Sequence, residues 1–144
     1  MKRDDLNKPW NCACFNLRRA ARKVTQAYDQ ALKPSGLLAT QYSLLALLAE
    51  AAPPEGLAIS ELAERLGTDR TTLTRNLAVA ERQGWLHVVV GADRRERRVQ
   101  IKPAGRSRLK AAQPHWRAAQ ESMRKTLGLG SFAELLALTR QIAD

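Results

Sequence analysis

Acidic side chains are scarce in this chain. Its 144 residues carry 14 Asp and Glu against 24 Lys and Arg, a formal net charge of +10. Cysteine is scarcer still. Two cysteines do not make a disulfide framework, and the expected compartment is a reducing cytoplasm. No apolar run approaches the ~20 residues that span a bilayer, so no membrane association is expected. Residues 1–9 are polar and lead into no secretory apolar segment. There is no Gly-rich phosphate loop, no framed Ser, Cys or His nucleophile site and no recognisable carboxylate pair. We therefore expect no enzyme, no catalytic residue and no required cofactor.

What remains is a folded, basic chain. Hydrophobic residues make up 44%, too many for a disordered tail. The length fits one domain, which at this size buries roughly 68–70% of its unfolded surface and needs no staple. Residues 1–36 hold eight basic side chains against three acidic, 57–102 nine against six, and 103–144 seven against three. Residues 37–56 hold two acids and no base. A folded domain this basic points to an anionic partner, with nucleic acid ahead of a membrane surface or an acidic protein.

Periodicity places the elements. Residues 1–9 read as a loose charged arm. From 11 to 32 the apolar positions Leu17, Ala20, Ala21, Val24, Ala27, Tyr28, Ala31 and Leu32 recur at three and four, one helical stripe ended by Pro34 and Gly36. Thr40 is the expected cap of a nearly all-apolar core helix, followed by a loop at 51–56. Ser60 is the expected cap of a short helix that Gly67 ends. Asp69 caps the next, which runs to Gln83 before Gly84. Two helices joined around one glycine make a helix-turn-helix. After Gly84 the period falls to two, giving a β-hairpin from Leu86–Val90 and Arg98–Ile101 with a charged tip. Pro103 opens a helix to about Leu127, in which Pro114 predicts a kink or break. Gly128 and Gly130 then interrupt the chain, and Ser131 is the expected cap of a last helix to Ala143.

In the helix after Asp69, the residues Leu73, Leu77 and Ala80 fall within about 60° of one another at 3.6 residues per turn. Thr71, Arg75, Ala78 and Arg82 lie opposite, flanked by Thr72 and Val79. Arg can pair with guanine and Thr can meet phosphate or a thymine methyl, so this face suits a major groove, although a solvated surface would look the same. The tip Asp93-Arg94-Arg95-Glu96-Arg97-Arg98 crowds four guanidiniums together and suits a minor groove. Asp93 carries the wrong sign to touch phosphate, and is expected to orient Arg75 or Arg95.

The chain resembles the MarR family of winged-helix transcriptional regulators. The likeness rests on Gly36-Leu37-Leu38-Ala39-Thr40-Gln41-Tyr42-Ser43-Leu44-Leu45, on Ile59-Ser60-Glu61-Leu62-Ala63 with Leu66-Gly67, and on Arg70-Thr71-Thr72-Leu73-Thr74-Arg75-Asn76-Leu77. Gln83-Gly84-Trp85-Leu86, Asp93-Arg94-Arg95 and Val99-Gln100-Ile101-Lys102-Pro103-Ala104-Gly105 complete it. The resemblance implies a mainly α fold with a small β-hairpin wing, a winged helix-turn-helix plus a helical dimerisation layer. The implied division is a dimerisation helix in 1–36, a DNA-binding region in 37–102 and dimerisation helices in 103–144, intertwined as one domain. It implies a homodimer on a palindromic operator in double-stranded DNA, acting as a ligand-responsive repressor. DNA-contacting residues would be Ser60, Thr71, Thr72, Thr74, Arg75, Arg94, Arg95 and Arg97, with Asp93 as the orienting acid in the wing. Asp69 departs from the neutral residue the family often has there. A partner is needed on other grounds too, because 45 residues of winged helix cannot cover both flanking helical segments.

The family often answers to small aromatic or phenolic effectors held between its two layers. Trp10, Tyr28, Tyr42, His115 and Trp116 are the expected lining here, though aromatics at such spacing also serve as packing. Cys12 and Cys14 raise a redox alternative. Two residues apart on a helix they point about 200° from each other, which opposes a bridge or a shared metal. His87 and His115 sit in unrelated segments, so no zinc set forms. A protein-interaction module is the other alternative, but it leaves the wing charge unexplained.

Overall fold

Leu44, Leu45 and Leu48 are almost wholly removed from solvent, and the rest of the molecule is arranged around them. A computed structural model describes residues 7–51 and 53–143. The expected loose arm therefore lies largely outside the described residues. The elements are α1 (Ala13–Leu32), α2 (Ala39–Ala51), β1 (Leu57–Ala58), α3 (Ile59–Arg65), α4 (Arg70–Arg82), β2 (Leu86–Val90), β3 (Arg97–Ile101), α5 (Pro103–Leu127) and α6 (Leu129–Ala143). The fold is mainly α with a winged helix, as expected.

The helix starts depart from the expected caps. α2 begins at Ala39, so Thr40 lies inside it. The Gln41 side chain accepts from the Leu38 N–H, and Asp29 of α1 accepts from the Ala39 N–H, so a tertiary carboxylate replaces a local hydroxyl. α3 begins at Ile59 behind Ala58, and Ser60 makes no cap. Ser131 likewise falls inside α6, whose start adjoins Gly128. Asp69 does cap α4, accepting from the Thr72 N–H.

α5 runs unbroken through Pro114 for 25 residues. The proline removes one helical bond, but the buried stripe Gly105, Leu109, Ala112 and Ala119 holds the turns on either side of it against α1 and α2. The hairpin belongs to a larger sheet. Strand β1 adds to β3, giving the antiparallel order β1-β3-β2 with Leu57 opposite Val99 and Leu86 opposite Ile101. Two residues are too short to show a period of two, which hid β1 from sequence reading. Leu57, Leu86 and Val99 close the sheet over the core. Gly105 lets α5 lie across the strand entry, because a Cβ there would strike the Trp85 carbonyl oxygen.

Candidate nucleic-acid interface

The turn between α3 and α4 is fixed by backbone bonds, Gly67 N–H to the Glu64 carbonyl and Thr68 N–H to the Ala63 carbonyl, with Gly67 at φ 59°. Asp69 then accepts twice from Thr72, through the main-chain N–H at 2.8 Å and the hydroxyl at 2.6 Å. The Thr72 hydroxyl, then its amide, hold the Asp69 carboxyl below its ordinary acidity range. The residue that departs from the family pattern is thus spent on starting the helix.

These bonds sort the threonines. Thr72 has given its proton to Asp69, and Thr74 donates to the Arg70 carbonyl at 2.7 Å. The Thr71 hydroxyl and the Arg75 guanidinium, one turn apart on the exposed face, have no intramolecular partner among the described residues, and nor do the side chains of Arg70, Asn76 and Arg82. Leu73, Leu77 and Ala80 are buried opposite, as the wheel requires. Ser60 is exposed in the first turn of α3.

The wing sorts its arginines in the same way. Asp93 accepts from the main-chain N–H of Arg95 at 2.9 Å, so it shapes the turn through the backbone rather than steering the guanidinium of Arg75 or Arg95. Arg97 donates to the Arg94 carbonyl at 3.2 Å. Arg98 turns inward, donating to the Gly56 carbonyl from Nε and Nη2 at 3.0 and 2.7 Å and pairing with Glu96 at 3.0 Å. Four guanidiniums in the sequence therefore leave Arg94 and Arg95 as the unengaged pair among the described residues. Sequence reasoning missed the inward role of Arg98. Alternation with buried Val99 puts Arg98 on the opposite face of β3, so nothing local marked its reach to Gly56, 42 positions away.

The five aromatics do not surround one space. Tyr42 is buried and stacks on Trp116, with ring centroids 5.4 Å apart and planes within 11°. The Tyr28 hydroxyl donates to Gln120 at 2.8 Å, and burial raises its pKa. These three tie α1 and α2 to α5. His115 is half-buried, and Trp10 is exposed in the turn at Pro9–Asn11. A cavity of about 280 Å³ lies instead where α1 and α2 meet the helix-turn-helix. Thr25, Thr40, Ser43, Thr68, Thr72 and Asn76 provide its polar lining, over Leu44, Leu66 and Leu73. Sequence reading sought rings and passed over small polar side chains scattered through several elements.

Cys12 and Cys14 are free and exposed. Cys12 stands before α1 in extended backbone (φ −78°, ψ 123°), so the two thiols are not both set on helical geometry as expected. Among the described residues no three His, Cys, Asp or Glu side chains cluster as metal ligands, and no helix is long and apolar enough to cross a membrane.

Comparison with known proteins gives this architecture its relatives. A family model described as the MarR family matches residues 35–96. The M. tuberculosis transcriptional regulator MosR, solved in complex with DNA, is 42% identical over 92% of this chain and 93% of its own, with a TM-score of 0.82. A second crystal structure of M. tuberculosis MosR is 40% identical over 96% and 97%, with a TM-score of 0.79. A MarR-family transcriptional regulator from Rhodococcus sp. RHA1 is 25% identical over 90% of each chain, with a TM-score of 0.78. No curated protein matches. Similarity this extensive, carried through the helix-turn-helix, the wing and both flanking helices, places the chain in the MarR family of transcriptional regulators.

Proposed function

We propose that this chain is a cytoplasmic repressor that binds palindromic double-stranded DNA as a homodimer, α4 entering the major groove and the wing the minor groove. One observation carries the reading. Within each element the hydrogen bonds engage some polar side chains and leave others open: Thr71 and Arg75, with Arg70, Asn76 and Arg82, stay open on α4, and Arg94 and Arg95 stay open on the wing. Positive groups left without acid partners at a winged-helix tip are suited to phosphates and groove edges. The MosR–DNA complex supports the partner class. Ser60, Thr72, Thr74 and Arg97 take supporting places around that set. The dimer is supported by the exposed apolar side chains of α1 and α6. Selection of bound fragments from random duplex DNA tests the reading. A two-fold symmetric consensus is expected. No enrichment would overturn it in favour of a protein-interaction module, and a promoter fusion whose output rises on expression of the protein would overturn repression.

The cavity beside α4 supports a small effector. At about 280 Å³ it is near the lower end of ligand-sized sites, with an apolar floor and a polar rim suited to a single phenolic ring. Because Thr72 and Asn76 sit on α4, an occupant there touches the recognition helix itself. A phenolic compound that raises the melting temperature and releases DNA is the expected result. Failure of all such compounds, with Asn76→Leu unchanged in DNA release, would remove this part.

A second reading is favoured by the two exposed thiols. Oxidation of Cys12 and Cys14 would then alter operator affinity. It is rejected if the Cys12→Ser, Cys14→Ser double variant responds to peroxide as the parent does.

A further inference from the structure

A two-stranded ribbon is marginal on its own, so a wing points only where its attachments hold it. In the order β1-β3-β2 the wing has two outer edges, one tied down by Glu81 and the other by Arg98, beside which Gln100 donates to the Pro54 carbonyl at 3.1 Å. On the free edge of β2, the Val88 N–H donates to Glu81 Oε1 at 2.9 Å. Glu81 lies on α4, so this bond joins the recognition helix directly to the wing strand. On the other edge, β1 is only two residues long. There Arg98 of β3 reaches the Gly56 carbonyl with two nitrogens, at 3.0 and 2.7 Å, and extends a third toward Glu96 at 3.0 Å. Glu96 in turn closes the hairpin, its carbonyl accepting from the Gly91 N–H and its N–H donating to the Asp93 carbonyl. Gly91 leaves room for this, since a Cβ there would lie 2.5 Å from Glu96 Oε2. Gly56 is held at φ 87° with no space for a Cβ beside the Val99 carbonyl, so the acceptor of the Arg98 fork is itself rigidly placed.

We propose that Glu81 and Arg98 are positioning residues that brace the wing at its two edges and so set the angle between wing tip and recognition helix. Neither acts as a DNA contact. The inference rests on the DNA-binding reading above. An acid on α4 repels phosphate, so its presence beside a duplex calls for another task, and the Val88 amide supplies it.

The sign of the effect separates bracing from charge. Glu81→Ala and Glu81→Gln each delete one negative charge, and on charge alone both tighten duplex binding equally. A brace distinguishes them, because the Gln amide oxygen still accepts from Val88. Binding is measured on the parent's own fragment selected from random DNA, with a mixed-sequence duplex as control. We expect E81Q to bind that fragment as tightly as the parent or more so. E81A weakens by about tenfold, the scale of one hydrogen bond. Arg98→Lys keeps its charge but loses the planar fork, and should also weaken by about tenfold. Hydroxyl-radical footprints of E81A and R98K should lose protection at the minor-groove flanks and keep the major-groove contacts. In the free protein, amide exchange at Val88 should accelerate in E81A and not in E81Q.

The inference is overturned if E81A tracks E81Q in affinity and exchange, or if R98K footprints as the parent does. If R98K does not fold cooperatively, the Glu81 pair decides alone. Failure of the parent to select any sequence would instead overturn the DNA-binding reading, and the brace would lose its purpose with it.

Discussion

Asp69 shows how much one side chain decides. Its two bonds to Thr72 start α4 and also settle what Thr72 can do, since a hydroxyl that has donated can only accept. The carboxyl is held below its ordinary value of 3.8, so its stabilising contribution is fully present above the unfolded pKa and is lost as pH falls through the lower folded pKa. Asp69→Ala should lower the melting temperature at neutral pH. Asp69→Asn, which keeps an acceptor, should restore most of it and flatten the acid limb below about pH 4. Equal melting of the two variants at pH 7 would contradict the cap. Gly105 is decided by space alone. Gly105→Ala drives a methyl into the Trp85 carbonyl and should cost about 1–3 kcal/mol in urea unfolding, whereas the same change at Gly130, which meets nothing, should be neutral or stabilising. Residue-scale legibility was uneven. The Asp69 cap could be read because its acceptor is local in sequence. The inward turn of Arg98 could not, because its acceptor Gly56 lies 42 positions away.

The elements themselves were largely legible, because periodicity records burial. The stripe on α4 put the right residues inward, whereas β2 buries Leu86 and leaves Val90 exposed, so its period of two located the strand without dividing its faces. What failed were the starts of α2, α3 and α6, where Asp29 or plain backbone geometry displaced the hydroxyls at Thr40, Ser60 and Ser131. The two elements proposed to face DNA should separate by what they read. Arg75→Ala should cost roughly 1–3 kcal/mol on the selected operator and relax base preference, while changing binding to mixed-sequence DNA little. Arg94→Ala with Arg95→Ala should weaken binding to both duplexes and flatten the dependence on salt by about one unit per lost phosphate contact. Filter binding from low to high salt distinguishes these patterns. An unchanged slope for the wing pair would reject the wing as a DNA element. An Arg75 variant equally weak on both duplexes would reduce that residue to a phosphate contact.

At the scale of the whole molecule, the apolar stripe of α1 outruns its own cover. Its C-terminal half packs on α5, through Leu32 and Tyr28, while Phe15, Leu17 and Val24 stay open to solvent. α6 has no buried residue, although Leu135, Leu138 and Ile142 recur at three and four along it. The sequence already demanded a partner here, because the length of these helices exceeds what a winged helix can cover. The family resemblance assigned dimerisation to 1–36 and 103–144, whereas a stripe alone shows that a face is covered and not by what. In the proposed homodimer a second copy would meet the demand most simply, burying α1 and α6 of each chain in one two-fold layer. Leu138→Asp with Ile142→Asp should then convert a dimer to a monomer in sedimentation at micromolar concentration. The parent's melting temperature should rise with protein concentration, and the variant's should not. Operator affinity should fall by about 10²–10⁴-fold, because the second half-site is no longer delivered at high effective concentration, while contacts within one half-site survive. A parent that sediments as a monomer, or a variant that stays dimeric, would move the interface off these helices. The geometry by which two wings reach one palindrome would then have to come from elsewhere in the chain.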